Sequence, residues 1–330
     1  MKSESKPYES LLPATVMEAV ESVLSQRCTG QIFPLNSFEN RVYDITMESN
    51  EHIIAKFYRP GRWSEETILE EHAFSAELTE KEIDVVSPLE FNGKTLFDYE
   101  GFSFALYPKR GGRPFECQTD EDLRQIGRLI GRIHLVGEQK PFQHRMDLTP
   151  VSYGHNNIDY IANNPLLPAH IAQSYLSTAR AALEHVERLW QNVQPNMIRL
   201  HGDFHLGNIL KASGEPFFVD LDDCLMGPAM QDIWMLLTGE EGSIRHQFNT
   251  LLEGYEQMRL FDDSEFKLLE ALRTLRMIHY TAWLTKRWHD PTFPKNFPFF
   301  EGHQYWEEQI LTLREQVAKM QEPVYEVNHY

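Results

Sequence analysis

The hydrophobic pattern of this chain changes its period near residue 110, and that change limits the possible folds more than any other feature. Before it, short runs in which apolar and polar residues alternate predict strands. These runs lie at 42–47, 52–58, 85–91, about 95–97 and 102–107. After Pro108 and the pair Gly111-Gly112, apolar residues recur every three or four positions, which predicts helices. The pattern therefore predicts an α+β fold with a small β-rich N-terminal lobe, residues 1–112, and a larger helical C-terminal lobe, residues 113–330.

Capping residues mark where several of the helices begin. Pro13 suits the first turn of a helix, and Ser64 is a favourable N-cap because two glutamates follow it. Thr119 and Asp122 have the spacing of a capping box, with Asp in place of the usual Glu or Gln. Further amphipathic stretches cover about 174–193, 229–237, 244–258, 263–288 and 306–320. A short β-like insert at 197–223 interrupts this helical region.

Charge limits the possible partners. The 330 residues include 31 Lys and Arg against 49 Asp and Glu, so the formal net charge is −18. An acidic protein repels phosphate backbones, which argues against nucleic acid and against an anionic membrane surface as partners. For the same reason an anionic ligand such as ATP needs a local positive pocket and a bound cation.

Cysteine usage and the N-terminal sequence predict a cytoplasmic protein. Cys28, Cys117 and Cys224 lie far apart and form no C-x-x-C pair, as expected of free thiols in a reducing compartment. The N-terminus lacks the continuous apolar stretch of a signal peptide. The sequence also has no run of about 18 apolar residues that predicts a membrane span.

Two segments carry the chemistry, HGDFHLGN at 201–208 and FFVDLDD at 217–223, and each joins an apolar strand to a polar turn. Phosphoryl transfer needs a base or positioner for the acceptor hydroxyl, oxygen ligands for Mg²⁺ and a cation on the phosphates. The carboxylate of Asp220 and the amide oxygen of Asn208 are hard donors that suit Mg²⁺. Asp203, five positions before Asn208, is placed to accept the proton of the acceptor. The segments predict an ATP- and Mg²⁺-dependent phosphotransferase with Asp203 and Asp220 as catalytic residues and Asn208 and Asp220 as metal ligands.

The pattern H-G-D-x-H-x-x-N, followed by an apolar strand and Asp, resembles the aminoglycoside phosphotransferase and choline kinase branch of the protein-kinase-like superfamily. The step from Asp203 to Asn208 is also that of the protein-kinase H-R-D-x-x-x-x-N loop. Four strings resemble the bacterial stress response kinase A (YihE) family: PLNSFENRVY at 34–43, KFYRP at 56–60, LHGDFHLGNIL at 200–210 and DPTFPKNFP at 290–298. The last of these has no catalytic rationale in the sequence. The resemblance covers most of the chain and implies a two-lobed protein-kinase-like fold and phosphorylation of serine or threonine.

The resemblance also implies how the phosphates of ATP are held. Lys56 is similar to the phosphate-gripping lysine of the V-A-I-K strand of protein kinases. Glu71 is its expected partner because Phe74 and Leu78 follow on the same helix face, and Glu70 is the competing candidate.

Other roles follow from the same resemblance. Ser37 lies in the segment 36–40, which takes the place of the glycine-rich loop over the phosphates, although it contains no glycine. Residues 107–111 are expected to form the hinge that offers backbone groups to adenine. Asp232 resembles the helical aspartate that braces a kinase catalytic loop. Asp222 occupies the place of a second acid, which suits either a metal ion or a cationic acceptor.

Alternatives remain open for the histidines and for the acceptor. His201 and His205 are four residues apart, as in some zinc sites, but Gly202 is poor in the helix that such a pair requires. A structural histidine that stiffens the loop through its backbone is the favoured interpretation. The acceptor is expected to be a protein serine or threonine, and the alternative is a small hydroxyl compound such as an amino alcohol, choline or an aminoglycoside. A kinase-like binding protein that uses nucleotide as a switch is a further alternative.

Overall fold

The computed structural model describes residues 8–212 and 214–322, and their contacts divide into two compact units. The first unit contains the described residues of Met1–Phe115 and Gly207–Asp223. The second unit contains those of Glu116–Leu206 and Cys224–Tyr330. The segment 207–223 thus groups with the N-terminal residues, and the boundary between residues 112 and 113 stays a prediction.

Both units contain strands and helices. The strands of the described residues are β1 (Cys28–Leu35), β2 (Arg41–Met47), β3 (His52–Phe57), β4 (Phe97–Tyr99), β5 (Phe102–Pro108), β6 (Arg113–Pro114), β7 (Ile198–Leu200), β8 (Ile209–Ala212), β9 (Glu215–Phe218) and β10 (Leu225–Gly227). The α-helices are α1 (Pro13–Leu24), α2 (Glu65–Glu80), α3 (Asp120–Gly137), α4 (Asn156–Ala162), α5 (Ala169–Val193), α6 (Met230–Trp234), α7 (Glu241–Tyr255), α8 (Leu269–Arg287), α9 (Thr292–Asn296) and α10 (His303–Lys319). Among these residues no helix is both long enough and apolar enough to cross a membrane.

The first unit contains an antiparallel sheet with the strand order β1-β2-β3-β5-β4. β3 lies at its centre, where Lys56 pairs with Val42 of β2 on one side and with Ala105 of β5 on the other. α1 covers one face of the sheet, because its buried Val16 and Val20 pack into one hydrophobic core with apolar residues of β2, β3 and β5. A central strand that is paired on both sides gives Lys56 a fixed backbone position.

A second, smaller sheet of the first unit pairs β6, β8 and β9. Ile209 of β8 lies opposite Phe218 of β9, and the N–H of Val219 donates to the carbonyl oxygen of Asn208 at 3.0 Å. Because an antiparallel pair brings the start of one strand beside the end of the other, Asn208 and Asp220 flank the same end of this hairpin.

The second unit is mainly helical. α3 and α7 pack backbone against backbone at glycines: an added Cβ on Gly127 would overlap the carbonyl oxygen of Leu251, and one on Gly254 would overlap that of Arg124. Only glycine permits so close an approach. The short strands β7 and β10 pair antiparallel, and β7 is fully buried. The HGD sequence therefore begins directly after an anchored strand.

Most predicted elements are present. α1 begins at Pro13, and the Ser64 hydroxyl caps α2 by accepting the N–H of Thr67 at 3.3 Å. The capping box of Thr119 and Asp122 opens α3 with both of its reciprocal hydrogen bonds. The amphipathic stretches predicted at 174–193, 244–258, 263–288 and 306–320 correspond to α5, α7, α8 and α10, and the stretch at 229–237 contains α6.

The strand predicted at 85–91 is wrong. Val85 and Phe91 make only isolated bridges, and no continuous strand connects them. Pro88 lies between them and has no N–H to donate to a neighbouring strand, which explains the interruption.

Several elements were not predicted, among them β1, α4 and α9. β1 contains Gly30 and Pro34, which weaken a strand signal, but it is an edge strand, where proline is tolerated. The helical turn at Pro150–His155, with α4 behind it, and α9 are too short to show helical periodicity clearly.

Candidate active site

The first unit contains a cavity of about 280 Å³ that brings four predicted site residues together. Ser37, Lys56, Glu71 and Asp220 all line it. The remaining wall is largely apolar and includes part of the predicted hinge; it is formed by Leu35, Val42, Ile54, Val86, Pro88, Tyr107, Pro108, Val219 and Leu221, among others. Apolar walls with a few convergent charged groups are typical of small-molecule sites.

Carboxylates surround the ammonium group of Lys56. Its Nζ lies 3.2 Å from Oε1 of Glu71, 3.0 Å from Oδ1 of Asp222 and 3.4 Å from Oδ1 of Asp220. Burial alone would lower the pKa of Lys56, but the charges of Asp222, Glu71 and Asp220 raise it well above its ordinary value. The lysine is therefore a cation at neutral pH. Of the two adjacent glutamates of α2, Glu71 is buried against Lys56, so the predicted contact between them is present. The role of Lys56 in binding phosphate stays a prediction.

Asp222 pairs with two cations of the protein, and sequence reasoning missed one of them. Its Oδ1 faces Lys56, and its Oδ2 pairs with the guanidinium of Arg62, which also pairs with Asp223. The side chain of Asp222 is only 5% exposed, whereas that of Asp220 is 58% exposed. Protein cations thus engage both oxygens of Asp222, and Asp220 is the accessible carboxylate of the two.

The glycine-free loop at 36–40 is held by Arg59. The Nη2 of Arg59 donates to the carbonyl of Phe38 at 3.0 Å, and its Nε donates to the carbonyl and the carboxylate of Glu39, each at 3.0 Å. The backbone N–H of Arg59 donates to Oδ1 of Asn40 at 3.1 Å. The loop is therefore positioned by a buried arginine, and the RPGR string that follows the lysine strand was the available sequence signal.

Asn208 and Asp220 offer an amide and a carboxylate oxygen at one end of the β8–β9 hairpin. Asp220 has a left-handed backbone conformation, with φ at 65°, which ends the strand path after Val219. Mg²⁺ favours such hard donors, and it commonly keeps waters and takes phosphate oxygens in place of a complete protein cage. In residues 8–212 and 214–322 no group of three His, Cys, Asp or Glu side chains could hold a metal ion. The two donors therefore fit a metal ion that binds together with nucleotide phosphates.

Asp203 follows β7 in the second unit. Its Oδ1 accepts a hydrogen bond from Nη2 of Arg276 at 2.7 Å, and its Oδ2 lies 3.5 Å from Nε2 of His205. Burial alone would raise the pKa of Asp203, but the hydrogen bond of His205 and the charge of Arg276 hold it well below its ordinary value. Asp203 is therefore a carboxylate at neutral pH. Arg276 was not predicted, because 73 residues separate it from Asp203 and no local spacing marks the contact.

Asp232 of α6 braces the loop that carries Asp203. Its two oxygens accept the backbone N–H groups of His201 and Gly202, each at 2.9 Å. The Nε2 of His134 lies 3.1 Å from Asp232, and the Nδ1 lies 3.0 Å from the hydroxyl of Tyr255. The pKa of His134 is lowered, chiefly by burial, so the neutral ring donates from Nε2 to Asp232 and accepts at Nδ1. The predicted contact between Asp232 and the loop is confirmed.

His201 stiffens the same loop. It is fully buried, its Nδ1 accepts the N–H of Asp203 at 3.3 Å, and its ring packs edge-on against Phe204. The structural interpretation of a loop histidine is confirmed. His205 faces Asp203 instead.

A larger cavity of about 640 Å³ lies in the second unit, lined by residues of α5, α7, α8 and α10. It contains none of the predicted site residues. Size alone therefore does not identify the candidate site, and we assign the site by its chemistry.

Comparisons with known proteins agree with this chemistry. The profile described as the phosphotransferase enzyme family (APH) matches residues 32–292. A protein of Salmonella choleraesuis (strain SC-B67) named stress response kinase A is 41% identical over 323 residues, which are 98% of each chain. A protein of Salmonella typhimurium (strain LT2) named serine/threonine protein kinase RdoA is also 41% identical over 98% of each chain.

A solved structure shows the fold. Amicoumacin kinase hAmiN, in complex with AMP-PNP, Ca²⁺ and Ami, superposes with a TM-score of 0.73 at 19% identity, covering 96% of this chain and 95% of the other. The α+β, kinase-like fold class predicted from the sequence is therefore confirmed, and so is the resemblance to stress response kinase A. The chain belongs to the phosphotransferase enzyme family, as a kinase related to the stress response kinase A proteins.

Proposed function

We propose that this chain transfers the γ-phosphoryl group of ATP, with Mg²⁺, to a serine or threonine hydroxyl of a protein. The observation that carries the proposal is the cluster in the first-unit cavity, where Lys56 contacts both Glu71 and Asp220. Phosphoryl transfer depends on a fixed cation for the phosphates and on oxygen donors for the metal ion, and this cluster supplies both kinds of group.

The first unit binds the nucleotide. Lys56 binds the phosphates, and Glu71 fixes the direction of its side chain while keeping it charged. Asp220 and Asn208 hold Mg²⁺, which when bound neutralises charge on the phosphate oxygens. Ser37 lies in the loop that Arg59 positions, where its hydroxyl and neighbouring N–H groups cover the phosphates.

Asp203 orients the acceptor hydroxyl. Because its pKa is held low, it stays ionised and accepts a hydrogen bond from the hydroxyl at neutral pH. Its low basicity suits a positioning role in which the proton moves late, as a loose transition state with little nucleophile bonding requires. Asp232 and His201 keep the loop of Asp203 rigid, which favours a fixed direction of approach.

Relatives support a protein acceptor. The name of the Salmonella typhimurium relative specifies a serine/threonine protein kinase, and that relative matches almost the whole chain. The structural neighbour hAmiN is an amicoumacin kinase with much lower identity, so a small hydroxyl compound is the alternative acceptor. Use of ATP by a protein with three free cysteines is consistent with a cytoplasmic location, which we include in the proposal.

The test is transfer of label from γ-labelled ATP in the presence of Mg²⁺. Wild type is compared with Asp203→Ala and with the control Asp262→Ala, which changes an exposed aspartate outside the site. Acceptors are a mixed protein substrate, the enzyme itself, and a panel of amino alcohols and aminoglycosides. We expect label on protein serine or threonine with wild type and the control, and none with Asp203→Ala. Label only on a small molecule would refute the protein acceptor, and equal labelling by Asp203→Ala would refute the role of Asp203.

A further inference from the structure

The charge of the chain is inverted along α8 and α9. Residues 269–296, which span α8 and α9, include five Lys and Arg and two acids, Glu270 and Asp290, whereas the whole chain has 31 basic and 49 acidic residues. Glu270 pairs with Arg273 at 2.8 Å. The basic residues are Arg273, Arg276, Lys286, Arg287 and Lys295. Asp290 is buried, and its Oδ1 accepts from the N–H of Thr292 at 3.0 Å and from its hydroxyl at 2.7 Å. A local positive surface in so acidic a protein requires a physical explanation.

This basic stretch begins beside Asp203, the carboxylate that orients the acceptor hydroxyl in the proposed function. Arg276 contacts Asp203, and Tyr280, Trp283 and Arg287 follow at steps of four, seven and eleven residues, which place them on one face of α8. All four side chains are only partly buried. The face thus runs from Asp203 for about 16 Å along the helix, at about 1.5 Å for each residue.

The DPTFPKNFP string, which has no catalytic rationale, adds to the same face. Phe293 and Phe297 pack against Trp283, with ring centroids 4.9 and 5.5 Å apart from it. Lys295 lies between these two phenylalanines in the chain and is exposed. The two aromatic anchors therefore fix a lysine beside α8. We call Arg276, Lys286, Arg287 and Lys295 the basic surface.

Lys286 contributes a positive charge that contacts neutral groups. Its Nζ donates to the amide oxygen of Asn157 at 2.8 Å and lies 5.2 Å from the centre of the Tyr160 ring. Both partners are neutral. Burial and the charge of Arg287 lower the pKa of Lys286, so an incoming carboxylate would stabilise its charged form.

We propose that the basic surface binds an acidic segment of the protein acceptor, so that the phosphorylated serine or threonine is flanked by Asp and Glu residues. The inference rests on the proposed protein kinase activity and adds the chemistry of its substrate. Because Arg276 is already paired with Asp203, Lys286 and Lys295 carry the attraction: they would repel basic residues that flank the acceptor hydroxyl and attract carboxylates. A span of about 16 Å corresponds to about five residues of extended peptide, so the acids lie within about five residues of the acceptor.

The first test measures binding without catalysis. A fluorescent peptide with alanine at the acceptor position and acidic flanks is compared, by anisotropy, with the same peptide carrying basic flanks. The variants are Lys295→Glu, which changes an exposed side chain, and Lys286→Glu. The matched control is Lys267→Glu, an exposed lysine of the same unit outside the basic surface.

We expect the acidic peptide to bind wild type and Lys267→Glu with the same affinity. Each variant of the basic surface weakens this binding by about three- to tenfold, with the difference shrinking at high salt. The basic peptide binds wild type more weakly than the acidic peptide does, and the charge reversals improve its binding. Equal binding of both peptides to wild type, or unchanged binding of the acidic peptide to both variants, would overturn the inference.

The second test uses the serine version of each peptide and separates the two proposals. With labelled ATP, wild type should give the larger kcat/KM for the acidic peptide, and Lys295→Glu should raise its KM while leaving kcat unchanged. A preference for the basic peptide would overturn the inference even if transfer to serine occurs. Binding of the acidic peptide with the expected dependence on Lys295, but without transfer to its serine, would support the basic surface and refute the proposed protein kinase activity.

Discussion

Asp232 offers a direct measure of how firmly the structure holds the candidate catalytic loop. The side chain is fully buried, and both of its oxygens accept backbone N–H groups, from His201 and Gly202. A hydrogen bond to a charged group contributes about 1.5–3 kcal/mol, and a buried donor that loses its acceptor costs about as much. Asp232→Ala removes both acceptors at once. We therefore expect the loop to open more easily by about 3–5 kcal/mol.

Native-state hydrogen exchange measures this opening at the residues concerned. A change of 3–5 kcal/mol corresponds to exchange of the His201 and Gly202 amides that is faster by roughly two to four orders of magnitude. In Asp232→Asn these two amides should exchange at rates between those of wild type and of Asp232→Ala. The amide oxygen of asparagine can accept one N–H, while its NH₂ group faces the other. We also expect kcat to fall about 10²-fold with the KM for ATP unchanged, since the loop positions the acceptor.

The control is Asp262→Ala, which removes an exposed carboxylate that accepts the N–H of Ser264 at 3.0 Å. Loss of this terminal cap costs about 1 kcal/mol and should leave exchange at His201 and Gly202 unchanged. The bracing role of Asp232 would be refuted if these two amides exchange in Asp232→Ala at rates within threefold of those in wild type.

Three further predictions concern titratable residues of the two units. Lys56→Met should lower kcat/KM for ATP about 10²- to 10³-fold, and Glu71→Gln should lower it less, because the lysine remains; steady-state ATP turnover measures both. Arg62→Met leaves the buried Asp222 with one cation instead of two, so chemical denaturation should show the first unit destabilised by about 3–5 kcal/mol; an unchanged midpoint would contradict the ion-pair network. Because the pKa of His134 is lowered below 6.5 in the folded protein, the unfolded state binds more protons below that pH. Stability should therefore fall as the pH drops below about 6.5, and His134→Gln should reduce that part of the pH dependence in unfolding midpoints measured between pH 5 and 8.

Local spacing was sufficient to select the candidate residues that lie within short segments. The step from Asp203 to Asn208, the strand around Lys56 and the helix face of Glu71 are each properties of fewer than ten consecutive residues. The capping box at the start of α3 is of the same kind, and the structure contains it. Such features survive in any fold that keeps the local element, which is why the sequence alone predicts them.

Contacts between distant segments were not predictable. Arg62 meets Asp222 across 160 residues, and Arg276 meets Asp203 across 73. Neither arginine stands out by its neighbours in the chain, and each acquires its role only when tertiary packing sets its surroundings. The strand predicted at 85–91 failed for a related reason, because alternation cannot reveal whether a partner strand accepts a segment interrupted by Pro88.

The basic surface was predictable only in part. The excess of Lys and Arg between residues 269 and 296 is visible in the sequence. Its meaning depends on Arg276 contacting Asp203 and on α9 packing against Trp283, which only the structure shows. Without such contacts, a run of charges on a helix is usually only a solvated face. The contact of Arg276 with Asp203 is the observation that relates the basic surface to the acceptor substrate.

The central claim is that Asp203 orients the acceptor hydroxyl whereas Asp220 holds Mg²⁺ for ATP. Single-turnover kinetics tests this claim most directly. Enzyme preloaded with labelled ATP and Mg²⁺ is mixed with acceptor and quenched on the millisecond to second scale, for wild type, Asp203→Asn and Asp220→Asn. We predict that Asp203→Asn slows transfer at least about 10²-fold with unchanged affinity for ATP, because it changes only the positioning of the acceptor. Asp220→Asn should instead weaken the Mg²⁺-dependent binding of ATP. Transfer by Asp203→Asn at the wild-type rate, or binding of Mg²⁺ and ATP by Asp220→Asn as in wild type, would contradict the account.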